Sequence, residues 1–297
     1  MLPPKRIALS GGAMKGVSHI GALEFLHERG LLRCVKEYVG TSVGALISFA
    51  LCIGYTLSEL HTICVALDFS LTQNIDPDNV FKCFETYGFD DGSNQEKFLN
   101  ILLRAKGLPI NITFEDLYNR NQQAPTIRVY AVNLQTYMIH EFSRIKTPRT
   151  EVRWAVQASM AIPIYYTPMK DLSSNDLYID GCLIADFPFH HLTDSERAET
   201  LGIAFKHEIN NSDPLNVGSY LLKLYYSVYY HSNIELFFNW KHRIIEINCG
   251  NFQSLYFGID SDQKTALIEI GRKSAQDFIL KYKWLSGKPP VRRYSLP

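Results

Sequence analysis

The chain has 297 residues and carries 30 lysines and arginines against 30 aspartates and glutamates, a formal net charge of zero. With no overall field to attract a polyanion, nucleic-acid or anionic-membrane binding driven by net charge is excluded, and any such attraction must be local. A content of 46% hydrophobic and 20% charged residues excludes a disordered chain.

The opening MLPPKRIALSGG has no apolar stretch long enough for a signal peptide. The longest apolar run, Ala45–Ile53, is about half a bilayer span. The expectation is a soluble cytoplasmic protein that meets membranes at most peripherally. In chain order, Arg6–Leu9 reads as a short apolar strand, followed by a glycine loop and a helix over Val17–Arg29 that Gly30 stops. Lys36–Val39 supplies a second strand. After a sharp turn, Ala45–Ile53 is a helix apolar almost all round, which belongs in an interior. Ile127–Asn133 alternates as a strand, and Gln135-Thr136 turns the chain into Met138–Phe142. Val152–Met160 reads as a helix ending near Pro163. Leu201–Phe205 and Ile244–Asn248 are short strands, and Asp262–Tyr282 is a long helix. No repeat or linker interrupts the pattern. Strands alternating with helices predict one α/β domain over residues 1–285, with a mostly parallel sheet covered on both faces. Residues 286–297 read as an irregular basic tail.

The six cysteines, Cys34, Cys52, Cys64, Cys83, Cys182 and Cys249, form no CxxC pair. That spacing suits reduced, buried thiols better than a disulfide framework or a zinc site. Asp90-Asp91-Gly92 lacks the spacing of a calcium loop, so no metal is implied.

The sharpest chemical signal is Gly40-Thr41-Ser42-Val43-Gly44, a GxSxG between an apolar strand and an apolar helix. In that setting the serine occupies a tight turn, its neighbours must lack bulk, and its hydroxyl projects near a helix N-terminus. The plainer alternative is a strand-to-helix turn that uses glycine for packing. Gly11-Gly12-Ala13-Met14-Lys15-Gly16 also joins a strand to a helix. Consecutive N–H groups there suit a developing oxyanion. A Walker loop would end in Gly-Lys-Ser/Thr and a dinucleotide fingerprint would read GxGxxG, and neither is present. Serine also needs a base, and none of the nine histidines, His19, His190 and His191 included, has a marking motif. Asp180 before Gly181 reads by itself as a turn aspartate.

Together these residues resemble the patatin-like phospholipase family, with GGAMKG at 11–16, GTSVG at 40–44 and Asp180-Gly181 in order. The similarity extends to Ala158-Ser159-Met160-Ala161-Ile162-Pro163 and to Gly271 in LIEIGRKSAQDF. The resemblance implies a single-domain, three-layer α/β fold and a lipid acyl hydrolase of the phospholipase A or lysophospholipase type. It implies Ser42 as nucleophile, Asp180 as its base without histidine, and Gly11, Gly12 and Ala13 as oxyanion donors. Lys15, Gly16, Gly40, Gly44 and Gly181 would support them, with no metal or organic cofactor. Lys15 would fix the loop or meet an anionic head group. The implied partner is a membrane phospholipid or another acyl lipid, not a nucleic acid. An acyltransferase or thioesterase using the same acyl-enzyme is the alternative, and a catalytically silent membrane-binding module is a further one. Two positions depart from the family pattern: Ala13 stands where glycine is frequent, and Asp186-Phe187-Pro188 replaces an asparagine-containing step.

Ser219–Trp240 is dense in aromatic residues. It reads as a packed amphipathic helix or, alternatively, as an acyl-chain groove or an interfacial surface.

Overall fold

The computed structural model describes residues 3–74, 79–206 and 236–284. Among the described residues ten strands form: β1 Arg6–Leu9, β2 Glu37–Thr41, β3 Gly88–Asp90, β4 Thr126–Asn133, β5 Met138–Ser143, β6 Ile164–Tyr166, β7 Met169–Lys170, β8 Leu177–Asp180, β9 Thr200–Phe205 and β10 Ile244–Ile247. Eight make the central sheet, in the order β10-β9-β1-β2-β4-β8-β7 with β5 also on β4. The five strands from β10 to β4 run parallel, whereas β5, β8 and β7 pair antiparallel. β3 and β6 form a separate parallel pair.

Alternate residues of the parallel strands fill two apolar layers. Ile7 and Leu9 of β1 and Leu201, Ile203 and Phe205 of β9 face the larger one. They meet helices α1 (Val17–Glu28), α2 (Val43–Cys52) and α3 (Leu57–Ala66) and the long helix Ser261–Tyr282. The opposite face offers small residues, Ala8 and Ala204, against Phe187 and Phe189. A side chain on Gly202 would start 2.4 Å from the Phe187 ring, so glycine there admits the aromatic layer. These are the three layers expected of the sequence.

The placement of β4 decides the rest. A strand has two edges. β5 holds one edge from Arg128 to Asn133, while β2 pairs with Thr126 to Tyr130 and β8 with Ala131 to Asn133. β2 and β8 therefore share the second edge, and β8 takes over where β2 leaves the sheet to enter α2. Thr41 lies opposite Tyr130 and Asp180 opposite Ala131. Two residues far apart in sequence are thereby set side by side.

α1 and the long helix cross at bare backbone. A β-carbon on Gly21 would lie 1.8 Å from the Ile268 carbonyl oxygen, and one on Gly271 would lie 1.8 Å from that of Ser18. Gly271→Ala must push the helices apart, and a loss of about 2 kcal/mol is expected from such overpacking. Urea unfolding checks it, through a lowered midpoint at unchanged slope.

The tail over residues 286–297 and most of the aromatic stretch, residues 219–235, lie outside the described residues.

Candidate active site

The turn from β2 to α2 is built on close backbone approach. A β-carbon on Gly40 would lie 2.3 Å from the Gly44 carbonyl oxygen, and one on Gly44 would lie 2.3 Å from that of Leu9. Glycine is therefore required at both ends of the pentapeptide. Between them Ser42 sits at φ +53°, ψ −124°, in the left-handed half of conformational space that a side chain enters at a cost. The strain is held by Ser159, whose hydroxyl accepts the Ser42 N–H at 2.9 Å and donates to the Tyr130 carbonyl at 2.6 Å. Ala45 N–H donates to the Ser42 carbonyl at 2.9 Å and opens α2. The helix thus begins at Val43, two residues before its apolar run, because Ser42 is its cap.

β8 brings the second group. Ser42 Oγ donates to Asp180 Oδ2 at 2.7 Å, and the Cys182 N–H donates to Asp180 Oδ1 at 2.8 Å. Asp180 N–H is anchored on the Ala161 carbonyl at 2.8 Å. Only 1% of Asp180 is exposed, and burial pushes its carboxyl up to about 6. The Cys182 and Ser42 hydrogen bonds oppose that rise, and the nearby Asp186 charge adds to it. Gly181 has no room for a side chain, since a β-carbon there would meet the Tyr130 carbonyl oxygen at 2.6 Å and the Thr41 methyl at 2.8 Å.

The glycine loop lies against the same corner. Gly11 N–H is committed to the Asp186 carbonyl at 2.9 Å, and Met14 N–H to the Ser254 carbonyl at 3.0 Å. Among the described residues, the N–H groups of Gly12 and Ala13 have no acceptor. Of the three expected oxyanion donors, these two remain open. Both hold unusual backbone, with φ +148° at Gly12 and +47° at Ala13. Ala13 accordingly carries strain that glycine would not, and its N–H survives the departure from the family pattern. Gly16 lets the loop close on the serine turn, as a β-carbon would lie 2.3 Å from a Val43 methyl. Lys15 has no ion-pair partner among the described residues; its carbonyl accepts the Ser18 hydroxyl at 2.8 Å.

From Ser42 and Ala13 an apolar cavity runs between α1, α2, α3 and the helix Ser93–Ala105. Its walls are Leu46 and Ile47 of α2, Leu60 and Ile63 of α3, and Phe98, Leu99 and Leu102 of the helix Ser93–Ala105.

The patatin-like phospholipase family profile matches residues 7–193, more than half of the chain. The chain belongs to the patatin-like phospholipase family. An uncharacterised protein of Acanthamoeba polyphaga mimivirus is 28% identical over 289 residues, covering 93% of this chain and 94% of its own. A "probable lipid hydrolase" of Invertebrate iridescent virus 6 is 32% identical over 184 residues, 62% of this chain and 61% of its own. The crystal structure of VipD from Legionella pneumophila superposes with a TM-score of 0.59 at 16% identity, over 94% of this chain and 67% of that one, and shows the shared fold.

The patatin-like motifs converge on one point. The A-S-x-A-x-P segment contributes through Ser159 on the Ser42 N–H, through the Ala161 carbonyl on Asp180, and through Met160 and Ile162 in the cavity wall. Two histidines, His19 and His191, have partners other than the serine. His19 is fully buried, its Nε2 donates to the Ser10 carbonyl at 3.0 Å, and burial pushes it down to about 4. It is neutral and braces the glycine loop. His191 packs on Tyr130 with ring centroids 5.1 Å apart and is likewise pushed down to about 4 by burial. Among the described residues no histidine bonds the Ser42 hydroxyl.

In the sequence Ser159 figures only as part of the Ala158–Pro163 similarity, without a role, and the α3 wall does not figure at all. A signal for α3 was present, since Thr56 and Glu59 form a reciprocal capping box ahead of Leu60, Ile63 and Cys64. Asp90 receives the N–H groups of Asn74 and Gly92 at 2.6 and 2.8 Å, so it clamps a loop. No metal-binding cluster occurs among the described residues. Within the aromatic stretch, Phe237 packs on Phe187 and Trp240 on Phe189, at 5.6 and 5.9 Å between centroids.

Proposed function

We propose that the chain hydrolyses long-chain fatty-acyl esters of membrane lipids through a covalent acyl-enzyme on Ser42. The observation that carries this reading is the 2.7 Å contact between Ser42 Oγ and Asp180 Oδ2 at the mouth of a deep apolar cavity. The cavity accommodates an acyl chain and expels water from it, a gain of ~0.8 kcal/mol per methylene. Ser42 Oγ bonds to the ester carbon as its proton passes to Asp180 Oδ2, and the carbonyl electron pair moves onto oxygen. The Gly12 and Ala13 N–H groups receive that oxyanion. Collapse breaks the bond to the alcohol, which leaves with the proton from Asp180, and water then releases the fatty acid by the same steps in reverse order.

Burial supports Asp180 as the base, because a carboxyl raised to about 6 binds a proton better than an exposed one. Hydrolysis needs it ionised, so activity falls as pH drops through about 6. No described helix is long and apolar enough to cross a membrane. The lipid would be drawn from a bilayer by peripheral contact.

Mass spectrometry of products from mixed phospholipid and neutral-lipid vesicles tests the reading. Free fatty acid and the matching deacylated lipid are expected, and the depleted species gives head group and acyl position. Acyl transfer to an added alcohol without free fatty acid would mark an acyltransferase. Intact lipids throughout would reject the hydrolase.

A further inference from the structure

One side of the cavity is closed by residues 67–74, which lead from the end of α3 towards the helix Ser93–Ala105. Leu67, Phe69 and Thr72 of this segment line the cavity. Bonds within the segment fold it into a turn: Asp68 Oδ1 accepts the Ser70 N–H at 3.0 Å, and the Thr72 hydroxyl donates to the Phe69 carbonyl at 2.7 Å. One end is tied to the helix Ser93–Ala105, where Asn94 Nδ2 donates to the Gln73 carbonyl at 2.7 Å. The other end is tied by Lys264, in the first turn of the long helix. Lys264 is only 3% exposed, and its ammonium donates to the main-chain carbonyls of Leu67 and, at 3.3 Å, of Val65. The same nitrogen lies 5.1 Å from the centre of the Phe69 ring.

A lysine is costly here. Burial strips water from the ammonium, and the first turn of a helix disfavours positive charge. The last carbonyls of α3 repay part of that cost, since they lack partners within their own helix and carry its partial negative charge. An apolar side chain would fill the space without the penalty, but it could not direct hydrogen bonds to the cavity wall. We propose that Lys264 is a positioning residue that acts through Leu67 and Phe69 to fit the cavity to a long acyl chain. The proposal rests on the acyl-ester reading and adds the residue that sets its chain-length preference. Methylenes against a fixed wall keep their dispersion contacts, whereas a gap of about 0.5–1 Å forfeits a quarter to a half of each. The shorter the chain, the fewer methylenes meet the wall, so a loosened wall weakens long chains most.

The test is the ratio of kcat/KM for nitrophenyl decanoate to that for nitrophenyl butanoate, with circular dichroism to confirm folding. Lys264→Met keeps the length of the side chain and removes its donors. The ratio should fall several-fold, through KM for the decanoate more than through kcat. Phe69→Ala should lower it as well. The double variant should fall little further than Phe69→Ala alone, because the lysine then has no ring to hold. If Lys264→Met does not fold, Lys264→Gln, which keeps an N–H donor, should lower the ratio by a smaller factor. A ratio equal to wild type in the folded lysine variant overturns the proposal, as do equal losses for both esters, the mark of a purely structural role. Losses that multiply in the double variant also overturn it, since the lysine would then act elsewhere. All three leave the acyl-ester reading standing. A wild type that hydrolyses neither ester overturns that reading and the proposal with it.

Discussion

Ser42→Ala is expected to lower ester hydrolysis by about 10,000-fold or more, because it removes the atom proposed to accept the acyl group. The cavity, the glycine loop and Asp180 all remain, so lipid binding should persist while turnover stops. The fold should persist too, since the elbow is held by the Ser42 N–H on Ser159 and by the bare backbone at Gly40 and Gly44. A fluorophosphonate should label the wild type once, at Ser42, and leave the variant unlabelled. Labelling at another serine, or residual turnover with normal kcat, would remove Ser42 from the mechanism.

Asp180→Asn should cost about 1,000-fold or more in kcat, with a smaller change in KM. An amide fills the same space and still accepts the Cys182 N–H, yet it takes no proton from Ser42. His19→Gln, His190→Ala and His191→Ala should each keep most of their kcat when folded. A collapse of kcat in a folded histidine variant would put a third residue into the machinery. Stability should move the other way from activity. Asp180 has a native pKa of about 6 against an ordinary 3.8, so its ionisation opposes folding as pH rises through about 6. That rise corresponds to about 3 kcal/mol as an upper bound. The asparagine variant should therefore melt higher than wild type near pH 8 and match it at acid pH. An inactive variant that is also more stable cannot owe its inactivity to unfolding.

Much of this arrangement is legible in the chain itself. Arg6–Leu9 is found as β1, and Met138–Phe142 and Leu201–Phe205 differ from β5 and β9 by one residue at one end. Such segments combine continuous or alternating apolar residues with clear stops, and local pattern suffices. β8 and its antiparallel neighbour β7 were not legible. They are four and two residues long; β8 forms because β4 offers a vacant edge and β7 because β8 then offers its own, which are tertiary facts. The same holds for Asp180, which local sequence presents as a turn residue and the shared edge delivers to Ser42. Gly11 was expected to donate to an oxyanion along with Gly12 and Ala13, and no pattern could reveal that Asp186 claims its N–H. The two phenylalanines after Asp186 explain that claim, because the second apolar layer seats Phe187 and Phe189 and draws the preceding carbonyl onto the loop.

The division of one β4 edge between two strands also orders events as the chain collapses. β1, α1 and β2 are consecutive, so their pairing closes short loops at small entropic cost. The serine turn is thus within reach early. Its partner lies 138 residues further on and is secured by three register pairs of β8 on β4. Contacts of such separation form late, and small strands released from an edge are the first to open. A chain that has joined β1, β2 and β4 holds Ser42 without Asp180 beside it. It can return to that state by peeling away three residues while the parallel core stays whole.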